Sequence, residues 1–230
     1  MLCTSNALCM FSRFAPQRST AEHQRFTVIS VVDYGAGNLR SVANVLDVLS
    51  VEFELVVDAE AILNATKIVL PGVGHFGQLA NALDELNIRQ ALTAQIENGV
   101  PYLGICLGMQ ILFAASQEAP NAKGLGILPG SVSKFEMADR NVHMGWNTLE
   151  AKAQSKLLKS SHENRASDCE LYAYYAHSYF CPVVDETVFT TSYGNHFSAV
   201  IEKSNIFGVQ FHPEKSGDLG RQVIQNFASI

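Results

Sequence analysis

One cysteine stands in a sequence context suited to nucleophilic chemistry. Cys106 lies in the run Gly104-Ile105-Cys106-Leu107-Gly108, between a predicted strand and a predicted helix. This is the thiol form of a nucleophile elbow, in which the flanking glycines let neighbouring backbone approach closely. The free N–H groups and the dipole at the start of the helix favour thiolate over thiol. A buried structural cysteine is the alternative, but this context favours a nucleophile, with the Leu107 N–H directed at an oxyanion.

The base that such a nucleophile needs is sought among seven histidines. His212 lies at the end of a predicted strand, and Glu214 follows two residues later in the run FHPE. Residues two apart in an extended segment project to the same side, so Glu214 can hold the tautomer of the His212 ring. Pro213 stiffens the pair and ends the strand. We predict a Cys106–His212–Glu214 triad, although a strand-end histidine can also simply cap a sheet.

The elements that must position these residues alternate between short β-rich runs and helical periods from Thr27 onward. The apolar run 28–32 is typical of a strand buried on both faces. Further strands are predicted at 53–57, 67–70 and 102–105, and helices at 39–49, 79–98 with a break near Asn87, and 107–115. Strand–helix alternation predicts right-handed βαβ units, whose strands place both Cys106 and His212 at their carboxyl ends.

The second half of the chain has a different pattern, with short β candidates separated by turns. These lie at 124–134, 142–144, 170–176, 188–191, 199–202 and 207–210, before a last helix at 216–228. They indicate an antiparallel addition to the sheet. The predicted fold class is therefore α/β, with an open, mostly parallel, doubly wound sheet and an antiparallel extension. We predict a single domain over residues 27–230.

Composition excludes several classes of protein. The 230 residues are 47% hydrophobic and 17% charged, which is incompatible with disorder throughout. A net charge of −6 argues against a nucleic-acid binder, and no apolar run is long enough to cross a membrane. Five widely spaced cysteines without a CxxC argue against disulfides and zinc and for a reducing compartment. We expect a cytoplasmic protein with neither metal nor cofactor.

The first 26 residues differ from the rest. They contain three Arg and one Glu, are rich in Ser and Thr, and show neither a helical nor a strand period. A weak organelle-targeting leader is one interpretation. The poor amphipathic pattern favours the other, which is a disordered extension or an upstream start codon.

Several motifs together resemble a known family. GICLGMQ at 104–110 and FHPEKSG at 211–217 resemble class I glutamine amidotransferases, whose triad is Cys-His-Glu. DYGAGN at 33–38, PGVG at 71–74 and HMGWN at 143–147 are similar to the glutaminase subunits of imidazole glycerol phosphate synthase. The resemblance extends from about Phe26 to the C-terminus. The extension at 1–26 and the stretch 155–168 depart from the family pattern.

The resemblance implies a function and a partner. Subunits of this family hydrolyse glutamine to glutamate and ammonia. The ammonia then passes through a (β/α)₈ cyclase subunit, the other half of a heterodimer, to a phosphoribulosyl intermediate. The products are imidazole glycerol phosphate and an aminoimidazole carboxamide ribotide, in histidine biosynthesis.

The resemblance also assigns residues around the predicted triad. It implies a second oxyanion donor at Val73, whose glycine neighbours make reorientation of the peptide easy. Gln110 lies one helical turn after Cys106 and so shares its face. The residues implied to bind glutamine are Gly74, Gln110, Glu118, Ser178 and Tyr179, and those implied to face the cyclase are Asn38, Trp146, Tyr174 and Lys215.

Three other functions compete with this one. An amidotransferase of the anthranilate-synthase type shares the triad but lacks DYGAGN and HMGWN. A stand-alone cysteine hydrolase acting on γ-glutamyl peptides needs no partner, and a noncatalytic regulatory module needs no triad. Glutamate release with and without the cyclase subunit separates these alternatives.

Overall fold

The computed structural model describes residues 28–36, 38–136, 141–158 and 170–230. The predicted extension at 1–26 and most of the unmatched stretch 155–168 lie outside these ranges. The strands are β1 (Ile29–Val32), β2 (Phe53–Val56), β3 (Ile68–Gly72), β4 (Tyr102–Cys106), β5 (Phe113–Ser116), β6 (Leu128–Lys134), β7 (His143–Ala151), β8 (Leu171–His177), β9 (Tyr179–Phe180), β10 (Thr187–Tyr193), β11 (Asn195–Lys203) and β12 (Ile206–Val209). The helices are α1 (Leu39–Val48), α2 (Ala59–Asn64), α3 (Phe76–Glu85), α4 (Ile88–Glu97), α5 (Leu107–Gln110) and α6 (Gly217–Ala228).

One large mixed sheet organises the described residues. Its strand order is β2-β1-β3-β4-β12-β11-β10-β7-β8. The strands from β2 to β12 run parallel, and β11, β10, β7 and β8 continue the sheet antiparallel. The predicted parallel sheet with an antiparallel extension is therefore confirmed. β4 and β12 are direct neighbours, so their carboxyl ends lie side by side.

Helices cover both faces of the parallel part of the sheet. Apolar residues of α1 and α6 pack on one face, around Leu46 and Phe227. Residues of α2, α3 and α4 pack on the other face, around Ile62, Leu83 and Leu92. The predicted break between α3 and α4 is present, because Asn87 has a left-handed backbone with φ of 58°. The doubly wound arrangement follows from two apolar faces on strands that are buried on both sides.

One local prediction was wrong, and one helix was not predicted. The predicted helix at 107–115 ends at Gln110, and the chain continues as β5, which pairs with β6 in a separate three-stranded sheet. The carbonyls of Ile111 and Leu112 accept from backbone N–H groups of residues 125, 127 and 128, so an α-helical ladder cannot continue there. Helix α2 was not predicted, although the Asp58 side chain caps it by accepting from the Ala61 N–H at 2.9 Å.

Candidate active site

The sharp turn at Cys106 is built by the backbone. β4 ends at Cys106 and α5 begins at the next residue, which leaves Cys106 with φ of 52° and ψ of −102°. Few L-residues adopt that conformation, and such strain concentrates at functional sites. A Cβ on Gly108 would lie 1.9 Å from the Leu70 carbonyl oxygen, and one on Gly104 would lie 2.3 Å from the Gly108 carbonyl oxygen. Only glycine fits at either position, as the elbow pattern predicts.

The predicted base lies beside this turn because β12 is parallel to β4. Val209 pairs with Ile105, so both chains leave the sheet at the same level. The His212 Nδ1 lies 2.9 Å from Glu214 Oε1, and both side chains are buried. The predicted nucleophile and base are therefore brought together at the carboxyl-terminal ends of β4 and β12.

The backbone of His212 is fastened to strand β8. Its N–H donates to the Tyr174 carbonyl at 2.9 Å. The buried Ser216 hydroxyl donates to the His212 carbonyl at 2.7 Å and accepts from the Tyr174 N–H at 3.0 Å. These bonds hold the His212 backbone in one position relative to the sheet, and the bond to Glu214 orients the ring.

The surroundings of His212 favour its protonated form. Burial alone lowers the pKa of His212, but hydrogen bonds to Cys106 and Glu214, together with their charges, raise that pKa to about 10. These contacts therefore favour the imidazolium form of the ring next to the cysteine sulfur. Such a ring can stabilise a thiolate and can protonate a leaving amine.

A small cavity of about 70 Å³ opens over the nucleophile. Cys106 and His212 line it, while Glu214 lies behind the His212 ring. The cavity is also lined by the residues predicted to donate to the oxyanion and to bind glutamine, namely Val73, Leu107, Gly74, Gln110, Glu118, Ser178 and Tyr179. Residues from four separate parts of the chain thus converge on one cavity.

Two polar side chains in the cavity already have protein partners. The Glu118 Oε2 accepts from the Phe76 N–H at 2.7 Å, at the start of α3. The Gln110 Nε2 donates to the Tyr179 carbonyl at 2.8 Å. Glu118 therefore places a carboxylate in the wall of the cavity. Gln110, which lies in α5, connects that helix to the backbone of Tyr179 in the opposite part of the cavity lining.

Three of the four residues predicted to face a partner form one exposed cluster, which we call the aromatic patch. Trp146 is 57% exposed, and its ring meets that of Tyr174 edge to face at 6.0 Å. The Lys215 Nζ lies 5.8 Å from the centre of the Tyr174 ring. Asn38 precedes α1 and accepts from the Ser41 hydroxyl at 2.7 Å, and no direct contact joins its side chain to the patch among the hydrogen bonds of the described residues.

A buried histidine pair was missed by the sequence analysis. The His143 Nδ1 lies 3.0 Å from the His177 Nε2, and the His177 Nδ1 lies 2.8 Å from the Tyr179 carbonyl oxygen. The Asn147 Nδ2 lies 3.1 Å from the His143 Nε2. The Asn147 amide nitrogen can only donate, so the His143 Nε2 accepts and the His143 proton lies on Nδ1. The Tyr179 carbonyl oxygen can only accept, so the His177 proton also lies on Nδ1. The pair therefore holds the Tyr179 backbone in the lining of the cavity. Of its two histidines, only His143 lay in a motif, HMGWN, that the sequence indicated.

We expect this pair to make the stability of the protein sensitive to acid. Burial lowers the pKa of His143 to about 4 and that of His177 to about 3, from an ordinary value of 6.5. Below pH 6.5 the two histidines become protonated in the unfolded chain but stay neutral in the folded chain, so the folded state loses stability as pH falls. We expect the free energy of unfolding to drop by about 1.4 kcal/mol per pH unit for each histidine.

Urea unfolding at several pH values between neutral and about 4.5 measures this loss. The control is the variant His143→Gln, which removes one titrating ring and keeps a donor for His177. Its stability should fall less steeply than that of the wild type, while carboxylates contribute equally to both. Equal slopes in the two proteins would contradict the assignment.

No set of three or more His, Cys, Asp or Glu side chains could hold a metal ion within the part of the chain that the structure describes. No helix in those same ranges is long and apolar enough to cross a membrane.

Comparison with known proteins identifies the class. Residues 30–229 match the family model described as glutamine amidotransferase class-I, and the chain belongs to that family. Solved structures share the fold. A crystal structure of a glutamine amidotransferase has a TM-score of 0.66 at 18% identity, covering 88% of this chain and all of the other. PurLQS from Thermotoga maritima has a TM-score of 0.68 at 20% identity, covering 88% of this chain and 98% of the other.

Curated relatives narrow the family further. The chain is 40% identical over 205 residues to imidazole glycerol phosphate synthase subunit HisH of Chlorobium luteolum, covering 87% of this chain and 99% of that protein. It is 41% identical over 204 residues to the subunit of the same name from Methanothermobacter thermautotrophicus, covering 88% and 98%. Within the amidotransferase class, the chain is thus a member of the HisH family.

Proposed function

We propose that this protein hydrolyses glutamine to glutamate and ammonia and delivers the ammonia to a cyclase subunit. That subunit makes imidazole glycerol phosphate and aminoimidazole carboxamide ribotide in histidine biosynthesis. The observation that carries the proposal is the convergence of Cys106, His212 and the predicted glutamine-binding residues on one cavity. Membership of the HisH family supports the same reaction.

The proposed reaction divides into two steps at the cysteine. The Cys106 thiolate attacks the carboxamide carbon, and the resulting oxyanion is stabilised by N–H groups of Leu107 and Val73. The C–N bond then breaks with a proton from His212, which releases ammonia and leaves a γ-glutamyl thioester. His212 next accepts a proton from water, whose oxygen attacks the thioester and releases glutamate. Glu214 keeps the His212 ring oriented throughout.

The proposed partner is a cyclase with a (β/α)₈ barrel, in a heterodimer. The relatives carry names that describe them as subunits of a synthase. The aromatic patch supports a contact surface, because exposed Trp and Tyr are frequent anchors of interfaces. A cytoplasmic location is supported by the free thiols of Cys106 and Cys181.

The test is glutamate release and formation of imidazole glycerol phosphate by the full chain mixed with a cyclase subunit. Both products should form from glutamine when both subunits are present. Glutamate release that is equally fast without any cyclase would favour a stand-alone hydrolase instead. Absence of glutamate under every condition would favour a noncatalytic module.

We further propose that Glu118 binds the α-ammonium group of glutamine. The variant Glu118→Gln keeps an oxygen that can accept from the Phe76 N–H but removes the charge. The KM for glutamine should rise about tenfold, because a charge-assisted hydrogen bond is lost. Steady-state kinetics of the complex measure this, with the exposed Glu85→Gln as a matched control. An unchanged KM would remove Glu118 from the binding site.

A further inference from the structure

A second buried amide lies directly behind the nucleophile. Gln210 is fully buried, two residues before His212 and just after β12. Its Nε2 lies 3.6 Å from the Cys106 sulfur, an ordinary distance for a hydrogen bond to sulfur. Neither the predicted triad nor the predicted glutamine-binding set includes this residue.

The orientation of the Gln210 amide is determined by its other neighbours. The Oε1 accepts from the Cys181 backbone N–H at 3.3 Å and from the Gln110 Nε2 at 3.4 Å. A backbone N–H can only donate, so the oxygen has to face Cys181. The Nε2, which can only donate, is therefore left facing the sulfur of Cys106.

We propose that Gln210 is a positioning residue for this reaction, which holds the Cys106 sulfur and stabilises its thiolate form through the Nε2–H donor. This role rests on the proposed glutaminase function. Hydrogen bonds to a charged acceptor are stronger than those to a neutral one, so the donor favours thiolate over thiol. Gln110 extends the same chain of bonds to the Tyr179 carbonyl, so the sulfur and the cavity wall share one buried network.

Other titratable groups near Cys106 have to be separated from this effect. His212 lies at the end of β12, Tyr34 follows β1, and Cys181 follows β9. Burial raises the pKa of Tyr34 to about 12 and that of the Cys181 thiol well above its usual value, so both stay neutral at working pH. His212 is the remaining charged neighbour among these, and it is unchanged in the variants below.

The experiment follows alkylation of Cys106 by iodoacetamide in the full chain across pH, with mass spectrometry of the peptide that contains it. The variant Gln210→Met keeps the length of the side chain and removes the donor. The pH of half-maximal alkylation rate should move up by about one unit, which is a tenfold loss of thiolate at lower pH. In the complex, kcat should fall about tenfold with little change in KM.

Two further variants separate positioning from folding. Gln95→Met is a control that removes another buried amide, one that donates to the carbonyls of Leu63 and Ala65 and not to Cys106. This variant should leave the alkylation profile unchanged. Gln210→Glu keeps the acceptor for the Cys181 N–H and should shift the profile upward at least as far as Gln210→Met. A wild-type profile in both Gln210 variants would overturn the proposal.

The outcomes also distinguish this inference from the proposed function. A wild-type complex that releases no glutamate would refute the glutaminase, whereas the alkylation profiles would still decide whether Gln210 stabilises the thiolate. An active complex with unshifted profiles would refute only the role of Gln210. A loss of stability alone, with an unshifted profile, would assign Gln210 to packing.

Discussion

The variant Cys106→Ala is expected to lose glutamine hydrolysis by about 10⁴-fold or more, because removal of a triad nucleophile eliminates the covalent route. Synthesis of imidazole glycerol phosphate from added ammonia should continue unchanged, since the proposed cyclase reaction uses ammonia itself. The measurement is the rate of product formation by the complex, with glutamine or with an ammonium salt as the nitrogen source.

The chain offers a matched control for this variant. Cys181 is also a buried free cysteine, but it lies outside the cavity lining. Cys181→Ala should keep most of the glutamine-dependent activity. Substantial glutamine turnover by Cys106→Ala would sink the assigned nucleophile.

The second large effect is expected from the partner. The free subunit should hydrolyse glutamine about 10² to 10³ times more slowly than the complex, which is the usual cost of a missing oxyanion donor. In the structure the Val73 carbonyl accepts from the Tyr34 hydroxyl at 3.5 Å, and Gly74 has φ of 106°. A partner that binds better to the state with the Val73 N–H turned inward would raise the rate.

This switch is measured as kcat for the free subunit, for the complex, and for the complex with the nucleotide ligand of the cyclase. The physical route is short, because Lys215 of the aromatic patch directly follows Glu214, and the Tyr174 carbonyl accepts a hydrogen bond from the His212 backbone N–H. Substitution of the exposed Trp146 by Ala should weaken the activation without changing the basal rate. Equal kcat values in all three conditions would refute the switch.

Much of the arrangement of the candidate site could be predicted because its signals are local in the sequence. The elbow at Cys106 needs glycines at fixed spacings, and His212 with Glu214 needs only an extended segment. The parallel sheet followed from apolar runs that are buried on both faces. The roles of individual residues in binding glutamine and the partner remain predictions that the variants above can test.

The rest depends on contacts between distant parts of the chain. His143 and His177 are 34 residues apart and meet only because β7 and β8 pair in one register. Gln210 reaches Cys106 across 104 residues because β12 lies beside β4. Likewise the run after Gln110 has helical periodicity, but its carbonyls are taken by residues 125–128. No pattern along the sequence alone contains this information.

The crowding around the elbow has a consequence for how such chains diverge. The nearest atoms that forbid a side chain belong to Gly108 and Met109 at Gly104, and to Leu70 of β3 at Gly108, so the sulfur of Cys106 is not among them. A descendant that had lost the cysteine, and with it all catalysis, would still need both glycines to fold. The two glycines therefore indicate only that a chain forms this turn. Whether the chain is an enzyme or an inactive descendant depends on the residue at the position of Cys106.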